Sequence, residues 1–171
     1  AWEPADQMEL AWRRGLADES SFAPIIDFYR RLAGEGNSLA ERRLGMCYRD
    51  GRGVKRDMDA AMKHLSAAAS RGDKIALVAA FEVACDEANL GAAPPDFMCP
   101  LVEPLRALSA SGHDRATALY AEILLCGRCG LDADPARAVA MVQPLALRAE
   151  PRALCLLGTC SLEGLGAEQL P

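Results

Sequence analysis

A short turn signal recurs along the chain at a nearly constant interval, and this repetition constrains the fold more than any other feature. Three stretches place a glycine and a polar residue between two apolar helical segments, and a fourth has alanine in place of the glycine. These are AGEGNSLA (33–40), ASRGDKIA (69–76), ASGHDRATA (110–118) and LRAEPRA (147–153). Measured from Gly36 to Gly72, Gly112 and Ala149, the intervals are 36, 40 and 37 residues. Such a period is typical of stacked helix pairs.

The residues after the first turn predict two helices joined by a glycine-rich loop. Between residues 40 and 50, apolar side chains fall on one side of a 3.6-residue helix and polar ones on the other. A second apolar stripe runs from Met58 to Ala69. Asp57 precedes this second helix, where its carboxylate can accept a first-turn N–H, and Gly72 follows it, where a left-handed residue commonly ends a helix.

The pattern A-x-x-x-L-G-x-x-Y-x-x-G-x-G-V-x-x-D-x-x-x-A resembles the Sel-one-like repeat family, whose short α/α repeat is related to the tetratricopeptide repeat. Residues 40–73 match nearly every signature position. The matches are Ala40, Leu44, Gly45, Tyr48, Gly51, Gly53, Val54, Asp57, Ala61, Ala68, Ala69 and Gly72. Residues 119–138 and 153–166 repeat parts of the pattern, whereas residues 74–112 lose the Gly-x-Gly loop and have NLGAAPPDFMCP there instead.

The resemblance implies an all-α fold, a right-handed α/α superhelix (solenoid) of about four antiparallel helix pairs. We expect one domain over residues 1–171. Its predicted repeats are 1–36, 37–72, 73–112, 113–149 and a partial repeat at 150–171. Proteins of such a family serve as scaffolds for protein–protein contacts, and the first helix of each pair usually lines the concave side. No catalytic, cofactor-binding or metal-binding set is predicted.

The predicted partner-binding surface is the outward face of the first helices, which changes from basic to acidic along the chain. It consists of Arg42, Arg43, Met46, Arg49, Glu82, Asp86 and Glu122. Alternatively, these charges are solvated or pair with neighbouring helices, since surface ion pairs contribute little. Trp2 and Trp12 either cap the first helix pair or contact the partner.

The loop around Gly51 and Gly53 carries basic residues, so a phosphate site has to be considered. A phosphate-binding P-loop needs Gly-x-x-x-x-Gly-Lys-Ser/Thr after a strand, and neither feature is present. Asp57 would also repel a phosphate at this position. Gly51, Gly53 and Asp57 are therefore interpreted as a structural loop in which the glycines permit positive φ.

Four of the seven cysteines are candidates for disulfides. Cys126 and Cys129 stand three residues apart, which is compatible with a structural disulfide, with inert thiols, or with zinc or redox chemistry. Cys85 and Cys99 flank the atypical loop, and a disulfide between them would close a loop of about 15 residues, contributing about 3 kcal/mol in the chain-entropy model.

The remaining cysteines and the histidines give weaker signals. Cys47 and Cys160 occupy the same repeat position on a predicted buried face and are expected in the core. His64 and His113 lie in different repeats, without a Cys or Ser partner at a catalytic spacing, so surface roles are expected for both.

Composition narrows the partner and the compartment. The net charge is −5, which argues against nucleic acid or an anionic membrane as the partner. Residues 1–74 hold 13 basic and 12 acidic side chains, whereas residues 75–171 hold 6 and 12. Seven cysteines and a chain that begins at Ala1 favour an exported, periplasmic protein with its signal peptide removed, with the cytoplasm as the alternative. No apolar run is long enough to span a bilayer.

From these features we expect a protein–protein interaction module that binds through the concave face or an open end of the solenoid. Its compact size and acidic half suit an immunity protein that neutralises a secreted antibacterial toxin, by analogy of fold. An adaptor in cell-envelope assembly or secretion is the alternative. A thiol-redox or hydrolytic enzyme is the alternative of another class, but no repeat supplies a nucleophile, a base and an orienting group together.

Overall fold

The computed structural model describes residues 22–87 and 96–164, and the regular elements in these two ranges are helices without strands. They comprise eight α-helices and one 3₁₀ helix. In chain order these are α1 (Ala23–Gly34), α2 (Ser38–Asp50), α3 (Met58–Ser70), α4 (Lys74–Glu87), the 3₁₀ helix (Asp96–Leu101), α5 (Val102–Ala110), α6 (Asp114–Cys126), α7 (Pro135–Leu147) and α8 (Pro151–Glu163). The predicted all-α class is confirmed. We call α2, α4, α6 and α8 the first helices of the repeats, and α1, α3, α5 and α7 the second helices.

The chain divides into two compact units. The N-terminal unit is Ala1–Ala76 and the C-terminal unit is Leu77–Pro171.

The recurring turn has the same backbone geometry at all four positions. One residue in each turn has a left-handed conformation, and its N–H donates a 2.9 Å hydrogen bond to the carbonyl oxygen three residues earlier. These residues are Gly36 (φ 82°), Gly72 (φ 90°), Gly112 (φ 87°) and Ala149 (φ 60°). Three of them are glycines, which adopt this conformation without steric cost. Ala149 is held there although it carries a side chain.

The residue after each left-handed position caps the next first helix. Its side chain accepts a hydrogen bond from the backbone N–H of an alanine three residues later, which satisfies one unpaired amide of the helix start. The four pairs are Asn37 with Ala40 (3.0 Å), Asp73 with Ala76 (3.0 Å), His113 with Ala116 (3.2 Å) and Glu150 with Ala153 (2.7 Å). All four alanines are completely buried. The repeat signal in the sequence is thus a combined helix stop and helix start.

The loop between α2 and α3 is a backbone turn. Gly51 and Gly53 have φ values of 72° and 64°, as the sequence predicted. The Asp57 carboxylate accepts a hydrogen bond from the N–H of Ala60 at 2.9 Å, so it caps α3. The Asp57 N–H in turn donates to the Tyr48 carbonyl oxygen at 3.0 Å and ties the loop back to α2.

In the N-terminal unit, α1, α2 and α3 pack around an apolar core. Buried side chains of α1 and α2 form one cluster with Phe22, and Cys47 lies within it as predicted. Its members are Phe22, Ile25, Ile26, Tyr29, Ala33, Ala40, Leu44 and Cys47. Gly45 lets α2 approach α3 closely, because a Cβ at this position would lie only 2.7 Å from Leu65 Cγ and 3.1 Å from the Ala61 carbonyl oxygen.

In the C-terminal unit, α5, α7 and α8 pack against α6, which buries eight of its side chains. Cys160 of α8 is buried, as the sequence predicted. Gly158 of α8 occupies the repeat position of Gly45, yet a Cβ built there would meet no atom within 4 Å. Among the described residues, none approaches Gly158 as closely as Leu65 approaches Gly45.

The disulfide in the C-terminal unit differs from both expected pairings. Cys99 in the 3₁₀ helix is bonded to Cys129 in the loop after α6, across a sequence separation of 30. The expected pairs Cys85 with Cys99 and Cys126 with Cys129 are therefore wrong, and Cys85 and Cys126 keep their thiols. The reason lies in the fold: Cys85 is buried in α4, and Cys126 ends α6, whereas a turn with positive φ at Cys129 places its Cα 5.0 Å from that of Cys99.

Candidate functional site

A cavity of about 250 Å³ lies in the C-terminal unit where three successive first helices come together. Its lining comes from α4, α6 and the start of α8. The lining residues are Glu82, Arg115, Leu119, Glu150, Pro151 and Arg152. Four of these six side chains are charged, and the cavity is therefore polar with a small apolar part.

Two ion pairs connect successive first helices beside the cavity, and they occupy equivalent repeat positions. Arg115 Nε lies 3.1 Å from Glu82 Oε1, and Arg152 Nη1 lies 3.5 Å from Glu122 Oε2. Each arginine directly precedes a capped alanine of the repeat turn, and each glutamate stands in the middle of the preceding first helix. The repeat therefore brings a glutamate of one first helix next to an arginine of the following one.

The two pairs differ in their contact with solvent. The Arg115 side chain is 66% exposed, and that of Glu82 is 22% exposed. The Glu122 side chain is 5% exposed and is covered by Arg152. The prediction that Glu122 belongs to an exposed acidic patch is therefore wrong, because the following first helix places its guanidinium over this carboxylate.

Glu150 supplies a further carboxylate at the cavity. Its Oε2 accepts the hydrogen bond from the Ala153 N–H that starts α8. No cation of the described residues forms an ion pair with it. Of the two carboxylates that line the cavity, Glu82 is thus in an ion pair and Glu150 has none with a described residue.

In the N-terminal unit, the predicted basic face of α2 is partly buried and engaged within the chain. Arg42 Nε donates to Asp73 Oδ2 at 2.8 Å, and the same carboxylate caps α4 through its other oxygen. Arg49 Nε donates to Asp50 Oδ1 at 2.7 Å. Arg43 and Met46 are also partly exposed.

One residue of the predicted surface, Asp86, and the two tryptophans are outside what the structure describes. Asp86 falls within α4, but its side chain is not part of the description. Trp2 and Trp12 lie before the first described residue. Their roles stay predictions.

A polar network in the N-terminal unit was not found from the sequence. His64 Nδ1 of α3 lies 2.7 Å from Oε2 of the buried Glu41 in α2, and the imidazole stacks on the Tyr48 ring with centroids 5.6 Å apart. Arg30 donates to the Tyr48 hydroxyl at 3.2 Å, and this hydrogen bond raises the pKa of Arg30 above its usual value. His64 was expected at the surface, but it links α2 to α3.

Sequence reasoning also missed Arg115, Glu150 and Arg152. The signal is visible in retrospect: an arginine precedes the recurring alanine in the two later repeats, and a glutamate occupies the same mid-helix position in the repeats before them. Pairing the two positions requires knowing that consecutive first helices are neighbours, which only the fold establishes.

Two properties of the described residues bear on other kinds of site. No three His, Cys, Asp or Glu side chains within ranges 22–87 and 96–164 are grouped so as to hold a metal ion. Within the same ranges, no helix has both the length and the apolar character of a membrane span.

The helix order, the repeated turn and the contacts between first helices define an α/α repeat protein. The chain belongs to the Sel1 repeat family, which matches residues 38–73, 114–146 and 151–170, just over half of the sequence. Sel1 repeat proteins are protein-interaction modules. The unmatched residues 74–113 include the atypical loop that the sequence singled out.

Solved structures share the fold. A protective antigen of uropathogenic Escherichia coli strains, c5321, which displays an SLR fold, is 24% identical with a TM-score of 0.65, and the match covers 94% of this chain and 33% of that one. A Sel1 repeat protein from Oxalobacter formigenes is 22% identical with a TM-score of 0.61, covering 94% of this chain and 64% of that one. The chain thus spans a third and just under two thirds of their lengths. No curated protein matched the chain.

Proposed function

We propose that the chain binds a partner protein through the exposed faces of its first helices, and that the cavity between α4, α6 and α8 is the contact site of the C-terminal unit. The observation that carries this proposal is the cavity itself, in which four charged side chains from three successive first helices converge. Polar groups that converge on a concave site fix the orientation of a bound group and exclude others. The partly exposed face of α2, with Arg42, Arg43, Met46 and Arg49, is the proposed contact surface of the N-terminal unit.

The proposed partner is a secreted antibacterial toxin, which the chain would neutralise as an immunity protein. The acidic charge of residues 75–171 and the Glu150 carboxylate at the cavity support a basic partner surface. The Cys99–Cys129 disulfide supports the proposed periplasmic location, because disulfides persist in oxidising compartments.

Affinity purification from the native host, with the wild-type chain and two variants as bait, tests the surface. Glu82→Arg places a cation beside Arg115 and partly fills the cavity, so it should reduce partner recovery at least tenfold. Glu103→Arg is the matched control, because Glu103 is also paired with an arginine, Arg106 at 2.8 Å, but lies on the second helix α5. This control should recover the partner like the wild type. Equal recovery by both variants contradicts the proposed surface.

The identity of the recovered protein, together with the neighbouring genes, tests the biological role. A single toxin-like partner supports immunity. Recovery of an envelope-assembly or secretion component would contradict the immunity role and support the adaptor role, with the proposed binding surface unchanged. Failure of the wild-type chain to recover any protein reproducibly contradicts the binding function.

A further inference from the structure

We propose that the cavity between α4, α6 and α8 receives one arginine side chain of the partner protein. This inference deepens the proposed function and rests on it. It follows from the cavity's volume, its charge and the arrangement of its apolar atoms.

The volume limits what can enter. Pockets for drug-sized ligands occupy about 300–1,000 Å³, whereas this cavity encloses about 250 Å³. The space is therefore large enough for a single long side chain. A protein partner that covers the first helices can insert such a side chain without any change in the helices that line the cavity.

The charges at the cavity favour a cation over an anion as the bound group. The carboxylates of Glu82 and Glu150 line the cavity together with the guanidinium groups of Arg115 and Arg152. Arg115 is paired with Glu82, and Arg152 is paired with the buried Glu122, which does not line the cavity. Glu150 accepts only the backbone hydrogen bond from Ala153 among the described residues, so it has lone pairs left for a further donor. An incoming anion would meet this carboxylate, whereas an incoming cation neutralises it.

The geometry favours arginine over lysine. Glu82 and Glu150 come from two different first-helix segments of the lining. A planar guanidinium has five N–H donors that can serve two carboxylates, while an ammonium acts as a point charge. Leu119 and Pro151 also line the cavity. They provide an apolar contact for the methylene stem of the side chain.

Titration of the isotope-labelled full chain with N-acetyl-arginine amide, followed by amide chemical shifts in NMR, tests the inference. We expect saturable shifts at Leu119 and Ala153. N-acetyl-citrulline amide, which keeps the shape but lacks the charge, should bind at least tenfold more weakly. Equal shifts with both probes, or none with the arginine probe, overturn the inference.

Two variants test whether N-acetyl-arginine amide binds at Glu150. Glu150→Gln removes the negative charge of this side chain and should weaken binding of N-acetyl-arginine amide at least fivefold. Asp134→Asn is the matched control, because Asp134 also caps a helix, by accepting from the Arg137 N–H at 2.9 Å, but is not part of the cavity. Undiminished binding by Glu150→Gln, or equal weakening by the control, contradicts the inference. The two proposals can fail separately. If the wild-type chain recovers the partner and Glu82→Arg does not, the binding surface is supported. If N-acetyl-arginine amide then binds no better than N-acetyl-citrulline amide, only the assignment of an arginine to the cavity is contradicted.

Discussion

Replacing Ala149 by glycine should stabilise the protein, because this alanine occupies a backbone conformation that glycine fills in the three other turns. Its φ is 60°, and a left-handed conformation costs a residue with a side chain about 1–2 kcal/mol. The substitution also increases the conformational entropy of the unfolded chain, which costs about 0.5–1 kcal/mol. Ala149 is exposed, so loss of its methyl group removes little buried surface. The expected net gain in the free energy of unfolding is about 0.5–1 kcal/mol.

The reverse substitution in an equivalent turn provides the control. Gly112 has φ 87°, and a Cβ added there would meet no atom within 4 Å, so Gly112→Ala incurs the backbone cost without a steric clash. It should lower the free energy of unfolding by about 0.5–1 kcal/mol by the same two contributions.

Urea denaturation followed by circular dichroism measures both effects as shifts of the midpoint at unchanged slope. A thermal melt should show Ala149→Gly raised by about 1–4 °C. If Ala149→Gly leaves the midpoint unchanged or lowers it while Gly112→Ala is destabilising, the four turns are not equivalent and the reasoning from the repeat is refuted.

Further predictions concern the disulfide and the helix contacts. Peptide mapping without reduction should find Cys99 linked to Cys129, and a peptide linking Cys126 to Cys129 would show this pairing to be wrong. Cys99→Ser should lower the free energy of unfolding by about 3–4 kcal/mol in the chain-entropy model for a loop of this length. Gly45→Ala should destabilise the chain by about 1–3 kcal/mol through overpacking, whereas Gly158→Ala should stabilise it by up to about 1 kcal/mol through helix propensity. If Gly45→Ala and Gly158→Ala change the free energy of unfolding in the same direction in urea denaturation, the difference between these faces of α2 and α8 is contradicted.

The helices and turns could be predicted because their signals are local. A left-handed residue, a capping side chain and an apolar stripe each act within a few residues, and Asp57 caps α3 as the sequence indicates. Even the turn without glycine was located correctly at Ala149, since the residues around it preserve the pattern. Because the same pattern recurs along the chain, the well-marked repeat at residues 37–72 allowed the weaker repeats to be recognised.

The side-chain partners could not be predicted in the same way. Cys99 and Cys129 are separated by 30 residues, and their approach depends on how the atypical loop and α6 fold back on each other. The burial of Glu122 likewise depends on Arg152 from the next repeat. The sequence placed Glu122 on the correct helix, but it contained no direct sign that Arg152 of the following helix lies next to it.

The polar network around His64 shows the same limit. Its contact with Glu41 joins residues 23 positions apart on two helices, and neither residue belongs to the repeat signature. A repeat pattern identifies the positions that hold helices together, whereas contacts specific to one repeat have to be observed in the structure.

Amide hydrogen exchange of the complex with the recovered partner tests the central claim most directly. We expect increased protection at the start of α6 and α8 and in the part of α4 around Glu82, with α5 and α7 unchanged. Protection confined to the second helices, with the residues around the cavity exchanging as in the unbound chain, would contradict it.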